Sequence, residues 1–234
     1  MDTSTEQIND LIAANAELKQ FFEGIRSSID QRVDTAVAAI GSNRVIVYID
    51  ADNGDDANTG LTEGDPVKTW YAAVIRSASG GRTTFRLMSD FEVSRRESLP
   101  HGFLEIIGHG AKRNLTFAAA SSEDPLEAPG FACSNGLDSV LMLNLTVHIP
   151  ALTATQKTYM FQAKGLMALN IFDSDIVREA GANMTVLQSF QGFALVVSGV
   201  TYPPEMAGNW VAAVAAGTDP VTLNRCAYSN VSSL

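Results

Sequence analysis

Two stretches of the sequence decide the fold: LMALNIF at residues 166–172 and FALVVSG at residues 193–199. Leu169 and Leu195 lie 26 residues apart, and each is followed two places later by a second apolar residue. An apolar pair with a period of two is typical of a half-buried strand. A recurring unit of this length is typical of a solenoid, in which each unit buries its apolar face against its neighbours. The predicted core positions are Phe117, Leu143, Leu145, Leu169, Ile171, Leu195, Val197, Val221 and Leu223. We therefore expect a mainly β fold with about 26 residues per turn of the solenoid over residues 91–234.

Residues 43–90 have a different pattern, which we expect to cover the open end of the repeat. RVIVYID at residues 44–50 and RTTFRLMSD at residues 82–90 are typical of strands, and KTWYAAVIRSA at residues 68–78 is typical of a short helix. The intervening residues 51–66 are rich in Asp, Asn and Gly, which favour turns. The first strand of a solenoid would otherwise expose unpaired backbone groups. The pattern therefore predicts an entry cap made of strand, turn, helix and strand.

Residues 1–42 predict a long helix that associates with other copies of the chain. The stretch 5–40 contains no proline and one glycine. From Ile8 to Ile29 its apolar residues alternate at steps of three and four, the heptad pattern of a coiled coil, and beyond Ile29 the stripe shifts through a stutter. The predicted trimerisation residues are Ile8, Leu11, Asn15, Leu18, Phe22, Ile25 and Ile29. Isoleucine at both core positions of the heptad favours three strands, whereas Asn15 favours two. We expect a trimeric coiled-coil stalk. An amphipathic helix folded against its own domain is the other reading of the pattern.

The composition argues against several classes of partner. The formal net charge is −10 and the basic residues are not clustered, so we expect no nucleic acid, because phosphate backbones are bound through clustered Lys and Arg. No run of about 18 apolar residues is present, so we expect no insertion into a membrane. The acidic N-terminus lacks the features of a signal peptide. We therefore expect a reducing compartment, in which Cys133 and Cys226 stay unpaired.

The entry cap carries a resemblance to a known fold. VYIDADNGDDANTGLTEGDPVKTWYAAV at residues 47–74 resembles the entry segment of right-handed parallel β-helix proteins of the pectin-lyase-like class. The residues that carry the resemblance are Tyr48, Asp50, Asn53, Gly54, Asp55, Asp56, Asn58, Gly60, Pro66, Lys68, Thr69 and Ala73. A heptad helix directly before such a segment looks like the tail fibres and tailspikes of bacteriophages, which are trimeric.

The resemblance implies a fold, a location and a function. The fold is an N-terminal trimeric coiled coil at residues 1–42, a cap at residues 43–90 and a short right-handed parallel β-helix at residues 91–234. The location is the virion, after assembly in the host cytoplasm. The implied function is that of a structural fibre or spike that attaches the particle to the bacterial surface, with the N-terminal helix bound to other tail or virion proteins.

The sequence contains no recognisable catalytic motif, so we expect neither an enzyme nor a cofactor. Glycan cleavage needs two facing carboxylates, and only Glu179 and Glu205 repeat at the 26-residue step. The acidic cluster around Asp50 and Asp56 does not match a calcium-binding EF-hand loop. We expect its side chains to close turns on their own backbone and expect no bound metal.

Three aromatic residues in or near the connecting segments, Tyr159, Tyr202 and Trp210, are the candidates for contact with a bacterial surface glycan. Trp210 could instead pack against a neighbouring subunit, as interface aromatics often do. Two other functions stay open at this stage. The first is a polysaccharide depolymerase on the same scaffold. The second is an adaptor or head-decoration fibre that holds another fibre and binds no receptor.

Overall fold

The computed structural model describes residues 3–42, 44–78, 80–119, 128–133, 138–151, 158–223, 226–231 and 234. The chain splits into two compact units, Met1–Ser42 and Asn43–Leu234. Within the described residues, no helix combines the length and apolar character needed to cross a membrane.

The first unit is one helix, α1 (Thr3–Ser42). The absence of proline and the many good helix formers permit an uninterrupted helix. The ion pairs Lys19–Glu23 and Arg26–Asp30 span one turn at 3.9 Å each. Both pairs are highly exposed, so they add at most a few tenths of a kcal/mol. Most of the stability of a helix comes from packing of its apolar face rather than from helix propensity.

The second unit is built of fifteen described strands and one short helix, α2 (Trp70–Ile75). The strands are β1 (Arg44–Ile49), β2 (Arg82–Leu87), β3 (Phe91–Val93), β4 (Arg96–Ser98), β5 (Phe103–Gly108), β6 (Arg113–Phe117), β7 (Gly130–Cys133), β8 (Asp138–Leu143), β9 (Leu145–Ile149), β10 (Thr158–Ala163), β11 (Leu166–Phe172), β12 (Asp175–Arg178), β13 (Met184–Ser189), β14 (Gly192–Ser198) and β15 (Cys226–Ser229). The protein is therefore mainly β with an N-terminal helix.

The strands form three parallel sheets. The seven-stranded sheet has the order β1-β2-β5-β8-β11-β14-β15. The β3 sheet contains β3, β6, β9 and β12, and the β4 sheet contains β4, β7, β10 and β13. From β2 to β14 the chain visits the three sheets in a fixed cycle, so each pass contributes one strand to every sheet. Single bridges at Thr201 and Val211 extend the β3 and β4 sheets by one further position.

The spacing between paired residues differs from the predicted constant step. Leu169 pairs with Leu195 on one side, as the repeat predicts, but on its other side it pairs with Val140, so the step between β8 and β11 is longer. Leu143 pairs with Phe172 and is only partly buried, so the prediction that Leu143 lies in the same column as Leu169 is wrong. The connecting segments differ in length from pass to pass, so the number of residues between paired positions also changes from pass to pass.

The corner at Asn144 explains the error at Leu143. Asn144 adopts a φ of 57°, which turns the chain between β8 and β9. Leu143 therefore lies on the outer face of the seven-stranded sheet, while Leu145 is buried in the β3 sheet. A Cβ atom on Gly108 would lie 2.1 Å from the Asn144 carbonyl oxygen, so this corner also requires glycine on the preceding pass.

The remaining predicted core positions have two outcomes. Phe117, Leu145, Leu169, Ile171 and Leu195 are buried, and Val197 and Leu223 are partly buried against the core. Val221 is 86% exposed, so its assignment to the core is wrong. It lies in a 3₁₀ helix, Pro220–Thr222, where the Asp219 side chain accepts a hydrogen bond from the Val221 amide.

Aromatic side chains stack through the middle of the core. Phe131 and Phe161 are paired neighbours in the β4 sheet with ring centroids 5.3 Å apart. Trp70 of α2 lies 4.7 Å from Phe131, and its indole nitrogen donates to the Ser98 carbonyl oxygen at 3.1 Å. Aromatic pairs of this kind add about 0.5–1.5 kcal/mol each beyond their buried area. They tie α2 to successive passes of the chain.

The region before β3 forms the predicted succession of strand, turn, helix and strand. The Thr69 hydroxyl caps α2 by accepting from the Ala72 amide at 3.2 Å. The loop before α2 covers the free edge of β1, where the Tyr48 amide donates to Gly60 and the Val67 amide donates to Tyr48. Because β1 and β2 continue the seven-stranded sheet, residues 43–90 belong to the same compact unit as the later strands.

Candidate functional site

The helix α1 presents an apolar stripe that is exposed in the single chain. The predicted trimerisation residues Ile8, Leu11, Asn15, Leu18, Phe22, Ile25 and Ile29 are all exposed, and the apolar ones are 40% to 63% exposed. Ile12 and Phe21, which flank the stripe, are also exposed. An apolar stripe at heptad spacing is a surface that associates with other helices. We call these seven predicted residues the heptad stripe.

A polar network on the outer face of the β3 sheet joins three passes of the chain. Asp90 accepts hydrogen bonds from the Asn114 amide at 2.8 Å and from the Asn114 side chain at 2.6 Å. The Oδ1 atom of Asn114 lies 3.0 Å from His148 Nε2. The Asn114 backbone hydrogen bond is the largest influence on the Asp90 carboxyl and, despite desolvation, keeps its pKa below the usual value. We call these three residues the Asp90–His148 network.

The network lies in a shallow pocket that offers both donors and acceptors. The pocket has a volume of about 380 Å³ and is also lined by Glu92 and Thr116. Nearby on the same face, Lys112 donates to Asp175 at 2.7 Å. Such a face can hydrogen-bond a hydroxyl-rich ligand. Sequence analysis missed this site because the step between β6 and β9, where Thr116 pairs with His148, is longer than the predicted repeat.

A second pocket brings Glu179 and Glu205 together, the two carboxylates that repeat at the 26-residue step. It has a volume of about 380 Å³ and is also lined by Arg178 and Asn209. Glu179 accepts a hydrogen bond from the Ala151 amide at 2.9 Å, so it also holds the segment that follows β9 on the preceding pass. Burial lowers the pKa of Arg178, and the nearby Glu205 charge opposes that effect. The pocket therefore holds two carboxylates beside the guanidinium group of Arg178.

The aromatic candidates for glycan contact are not grouped on one surface. Trp210 is fully buried, so its predicted contact with a glycan is wrong. Tyr202 is half-buried and its ring lies edge-to-face on Trp210 at 5.0 Å. Tyr159 is half-buried on β10, and its carbonyl oxygen accepts from Arg96 at 2.9 Å. Tyr202 and Trp210 thus form a packing pair in which the Trp210 ring has no surface to offer a sugar.

Replacing Trp210 with alanine is expected to destabilise the protein. The change removes a fully buried indole, and such truncations cost about 3–5 kcal/mol. Chemical denaturation of the β unit measures the loss. The matched control is Tyr71→Ala, because Tyr71 is 63% exposed and should lose about 0.5 kcal/mol or less. An unchanged unfolding midpoint for the Trp210 variant would contradict its placement in the core.

The acidic loop between β1 and α2 uses its carboxylates to bind its own backbone. Asp50 accepts hydrogen bonds from the amides of Asp52 and Asn53 at 3.1 Å each, which is the expected turn-closing role. Asp56 instead accepts from the amide of Thr69 at 2.8 Å and from the Thr69 hydroxyl at 2.8 Å, so it ties the loop to the residue that caps α2. In the part of the chain that the structure describes, no three His, Cys, Asp or Glu side chains are grouped to hold a metal ion.

The loop is expected to lose stability in acid through Asp56. Desolvation raises the pKa of Asp56, but the hydrogen bonds from Thr69 and Lys68 and the Arg76 charge outweigh it, so the pKa is lowered. A lowered folded-state pKa means that the stabilisation is present at neutral pH and is lost as the pH falls below about 4.

Melting temperatures of the unaltered protein and of Asp56→Asn, measured at pH 7 and pH 3, test this linkage. The variant should melt lower at pH 7, and the difference should shrink at pH 3. Asp52→Asn serves as the control, since Asp52 is exposed in the same loop. A difference between Asp56→Asn and the unaltered protein that stays constant with pH would refute the role of the carboxylate charge.

Comparison with known proteins found no matching family model, no matching curated protein and no matching solved structure.

Proposed function

We propose that this chain is a structural virion protein, a homotrimeric bacteriophage tail fibre or spike that attaches the particle to the bacterial surface. The observation that carries the proposal is the exposed heptad stripe on a 40-residue helix placed directly before a unit of parallel sheets. A long helix with an unpaired apolar stripe, joined to a rigid β unit, suits a stalk that carries a binding module.

The β unit is proposed to be a short right-handed parallel β-helix. The fixed cycle of the chain through three parallel sheets supports this reading, because each pass then forms one storey of a solenoid. The inward apolar columns support it as well. In the seven-stranded sheet, Val140, Leu169 and Leu195 are paired in register and all three are buried.

The stalk is proposed to be a coiled coil of three parallel helices. Ile25 and Ile29 place isoleucine at both core positions of the heptad, which favours trimers, and Asn15 at a core position can fix the register of the helices. The N-terminal end of the stalk would bind other tail or virion proteins. The β unit would then face the host.

Attachment is proposed to use the outer face of the β3 sheet. The Asp90–His148 network, Glu92 and Thr116 offer hydrogen-bond donors and acceptors suited to the hydroxyl groups of a surface glycan. No deep apolar pocket is required for such a ligand, because sugars are bound largely through polar groups on a preorganised surface. Three copies on one stalk would add avidity to a weak single contact.

Fluorescently labelled protein, incubated with a panel of bacteria, tests the attachment function. We expect saturable binding to at least one strain, loss of binding when the surface polysaccharide is stripped, and a loss of about 100-fold or more in apparent affinity when the stalk is dissociated. His148→Ala should weaken binding, and Tyr71→Ala on α2, an exposed residue outside the β3 sheet, should not. Binding to virion proteins but to no bacterium would favour the adaptor or head-decoration fibre instead.

The second candidate function is a polysaccharide depolymerase that uses Glu179 and Glu205. Their meeting in one pocket is the observation that favours it, since glycoside hydrolysis uses two carboxyl groups, one as acid and the other as base or nucleophile. Incubation with host capsule or lipopolysaccharide, followed by an assay for new reducing ends, distinguishes the two functions. Reducing ends that disappear with Glu205→Gln would establish the enzyme, and their absence with the unaltered protein on a polysaccharide that it binds would favour the adhesin.

A further inference from the structure

The outer face of the seven-stranded sheet is unusually apolar. Inner and outer residues alternate along its strands, as expected for a sheet with one face in the core, although the outer residues Thr84 and Glu105 are also buried. The partly exposed apolar residues of the outer face are Ile46, Phe103, Ile107, Leu141, Leu143, Phe172 and Val196. Arg44, Arg82 and Arg86 also lie on this face, all on β1 and β2 at one end of the sheet. In register, Ile107, Leu143 and Phe172 form one row across three strands. A sheet face that meets only water is normally polar.

The outer faces of the other two sheets have the ordinary polar character. On the β3 sheet, one row contains Glu92, Thr116, His148 and a single exposed apolar residue, Val177, and the next contains Asn114, Thr146 and Asp175. On the β4 sheet, Gln162 donates to Gln188 at 2.8 Å. The apolar surface is therefore a property of one face and does not reflect the average composition of the strands.

The one acidic group within this apolar face is already neutralised inside the chain. Glu105 is 5% exposed and accepts hydrogen bonds from Arg82 and Thr84 on the neighbouring strand. Arg82 also lies over the Phe103 ring at 5.0 Å. An unpaired charge would make burial of this face costly. Paired as it is, Glu105 permits a second apolar surface to cover the face.

The apolar surface continues to the last strand. Leu166, Ala168, Ala194 and Tyr228 line a shallow apolar groove between β11, β14 and β15. Tyr228 is 60% exposed and Leu166 is 38% exposed. Exposed apolar surface that extends over several strands marks a protein interaction site.

Chain connectivity indicates which molecule covers this face. Only Asn43 separates α1, which ends at Ser42, from β1, which begins at Arg44 in the same seven-stranded sheet. Arg44 therefore lies within about 8 Å of the helix end. Helices joined through the heptad stripe would pack about 8–10 Å apart, which brings the first strands of all copies to within about 25 Å of each other. The nearest apolar partner, at an effective concentration in the millimolar range, is the same face of another copy.

We infer that the outer face of the seven-stranded sheet is a second interface between copies of this chain, which packs the β units of neighbouring copies against one another. This inference rests on the proposed oligomeric fibre and adds an interface that the heptad stripe does not supply.

Thiol labelling of the full chain tests the interface. Leu141→Cys places a thiol in the centre of the face, and Val177→Cys places one on the outer face of the β3 sheet, both in a Cys226→Ser background, because Cys226 is exposed and Cys133 is buried. Each variant is labelled with N-ethylmaleimide in two backgrounds, one with the unaltered stalk and one with the Ile25→Asp and Ile29→Asp substitutions that disrupt it. We expect the Leu141→Cys thiol to react at least about tenfold faster once the stalk is disrupted, and the Val177→Cys thiol to react at the same rate in both backgrounds.

Every outcome bears on the inference, and sedimentation of the same samples reports on the stalk separately. If the Leu141→Cys thiol reacts equally fast in the unaltered chain and in a stalk variant that sediments as a single chain, or reacts as fast as the Val177→Cys thiol in an oligomer, the interface is overturned. If that thiol is protected and the stalk variant still sediments as an oligomer, the sheet face holds the copies together by itself. That result would support this inference and count against the heptad stripe as the oligomerisation site.

Discussion

Replacing Leu169 with aspartate is expected to unfold the β unit. Leu169 is fully buried on β11 between Val140 and Leu195, which are also buried. The change removes a core side chain, which alone costs about 2–5 kcal/mol, and places a carboxylate where it finds no solvent. The total approaches the whole stability of a typical domain, which is about 5–15 kcal/mol. Far-ultraviolet circular dichroism should show loss of the strand signal, while the helical signal of α1 depends on a separate unit.

The control for this prediction is Val177→Asp, which makes the same change at a strand position that is 41% exposed. It should melt within a few degrees of the unaltered protein, because exposed substitutions usually change stability by about 0.5 kcal/mol or less. A Leu169→Asp variant with an unchanged melting curve would mean that this side chain is not internal. The proposed solenoid would then lose its central column.

The double substitution Ile25→Asp and Ile29→Asp is expected to dissociate the protein into single chains. Both residues lie in the heptad stripe, and six carboxylates would meet in the seam of a three-helix bundle. Burying unpaired carboxylates costs several kcal/mol each, and like charges at close range add repulsion. Size-exclusion chromatography with light scattering should show the mass falling to that of one chain, together with a loss of helical signal, since an unpacked helix is marginal in water.

The matched control is Gln20→Asp with Ser27→Asp, which adds the same charge on the opposite side of the helix. Residues 20 and 27 are both exposed and fall outside the heptad stripe, so this variant should retain the mass of the unaltered protein. If the two double variants behave alike, the stripe is not the site of association. If the unaltered protein is already a single chain, the helix would fit the alternative of packing against its own domain.

The elements before β3 could be predicted from local sequence because each carries its own signal. Thr69 caps α2 with its hydroxyl, and Asp50 closes a turn by accepting from the amides of Asp52 and Asn53. These interactions span few residues, so their chemistry is readable without knowledge of the fold. The extent of α1 was predictable for the same reason, since a proline-free helical pattern of apolar residues continues to residue 40.

The register between later passes could not be read from one repeat length. The predicted step holds between β11 and β14 and between β10 and β13, which are the stretches that revealed it. Elsewhere the connecting segments set the step. It is shorter where Arg82 pairs with Phe103 and longer where Phe103 pairs with Ser139. A pairing step is a tertiary property of the connections, and loop lengths vary at little free-energy cost.

The errors at individual residues follow from that variation. Val221 lies at the predicted step after Leu195, but the strand that pairs with β14 begins only at Cys226, so Val221 falls in a connection. The Asp90–His148 network needed the true register of the β3 sheet and was therefore invisible in the sequence. Trp210 was a candidate for glycan contact because it lies in a connecting segment. The Val186 amide nevertheless donates to the Asn209 carbonyl and the Leu187 amide to the Trp210 carbonyl, which holds the segment against β13.

Sedimentation equilibrium of the unaltered chain most directly tests the central proposal that this protein is a three-stranded fibre. One chain has a mass of 25.0 kDa. We expect a single species at three times that mass, with no dissociation down to low micromolar concentration. A mass of one chain at every concentration would contradict the stalk, the second interface and the proposed fibre together, and a stable mass of two chains would contradict the trimer.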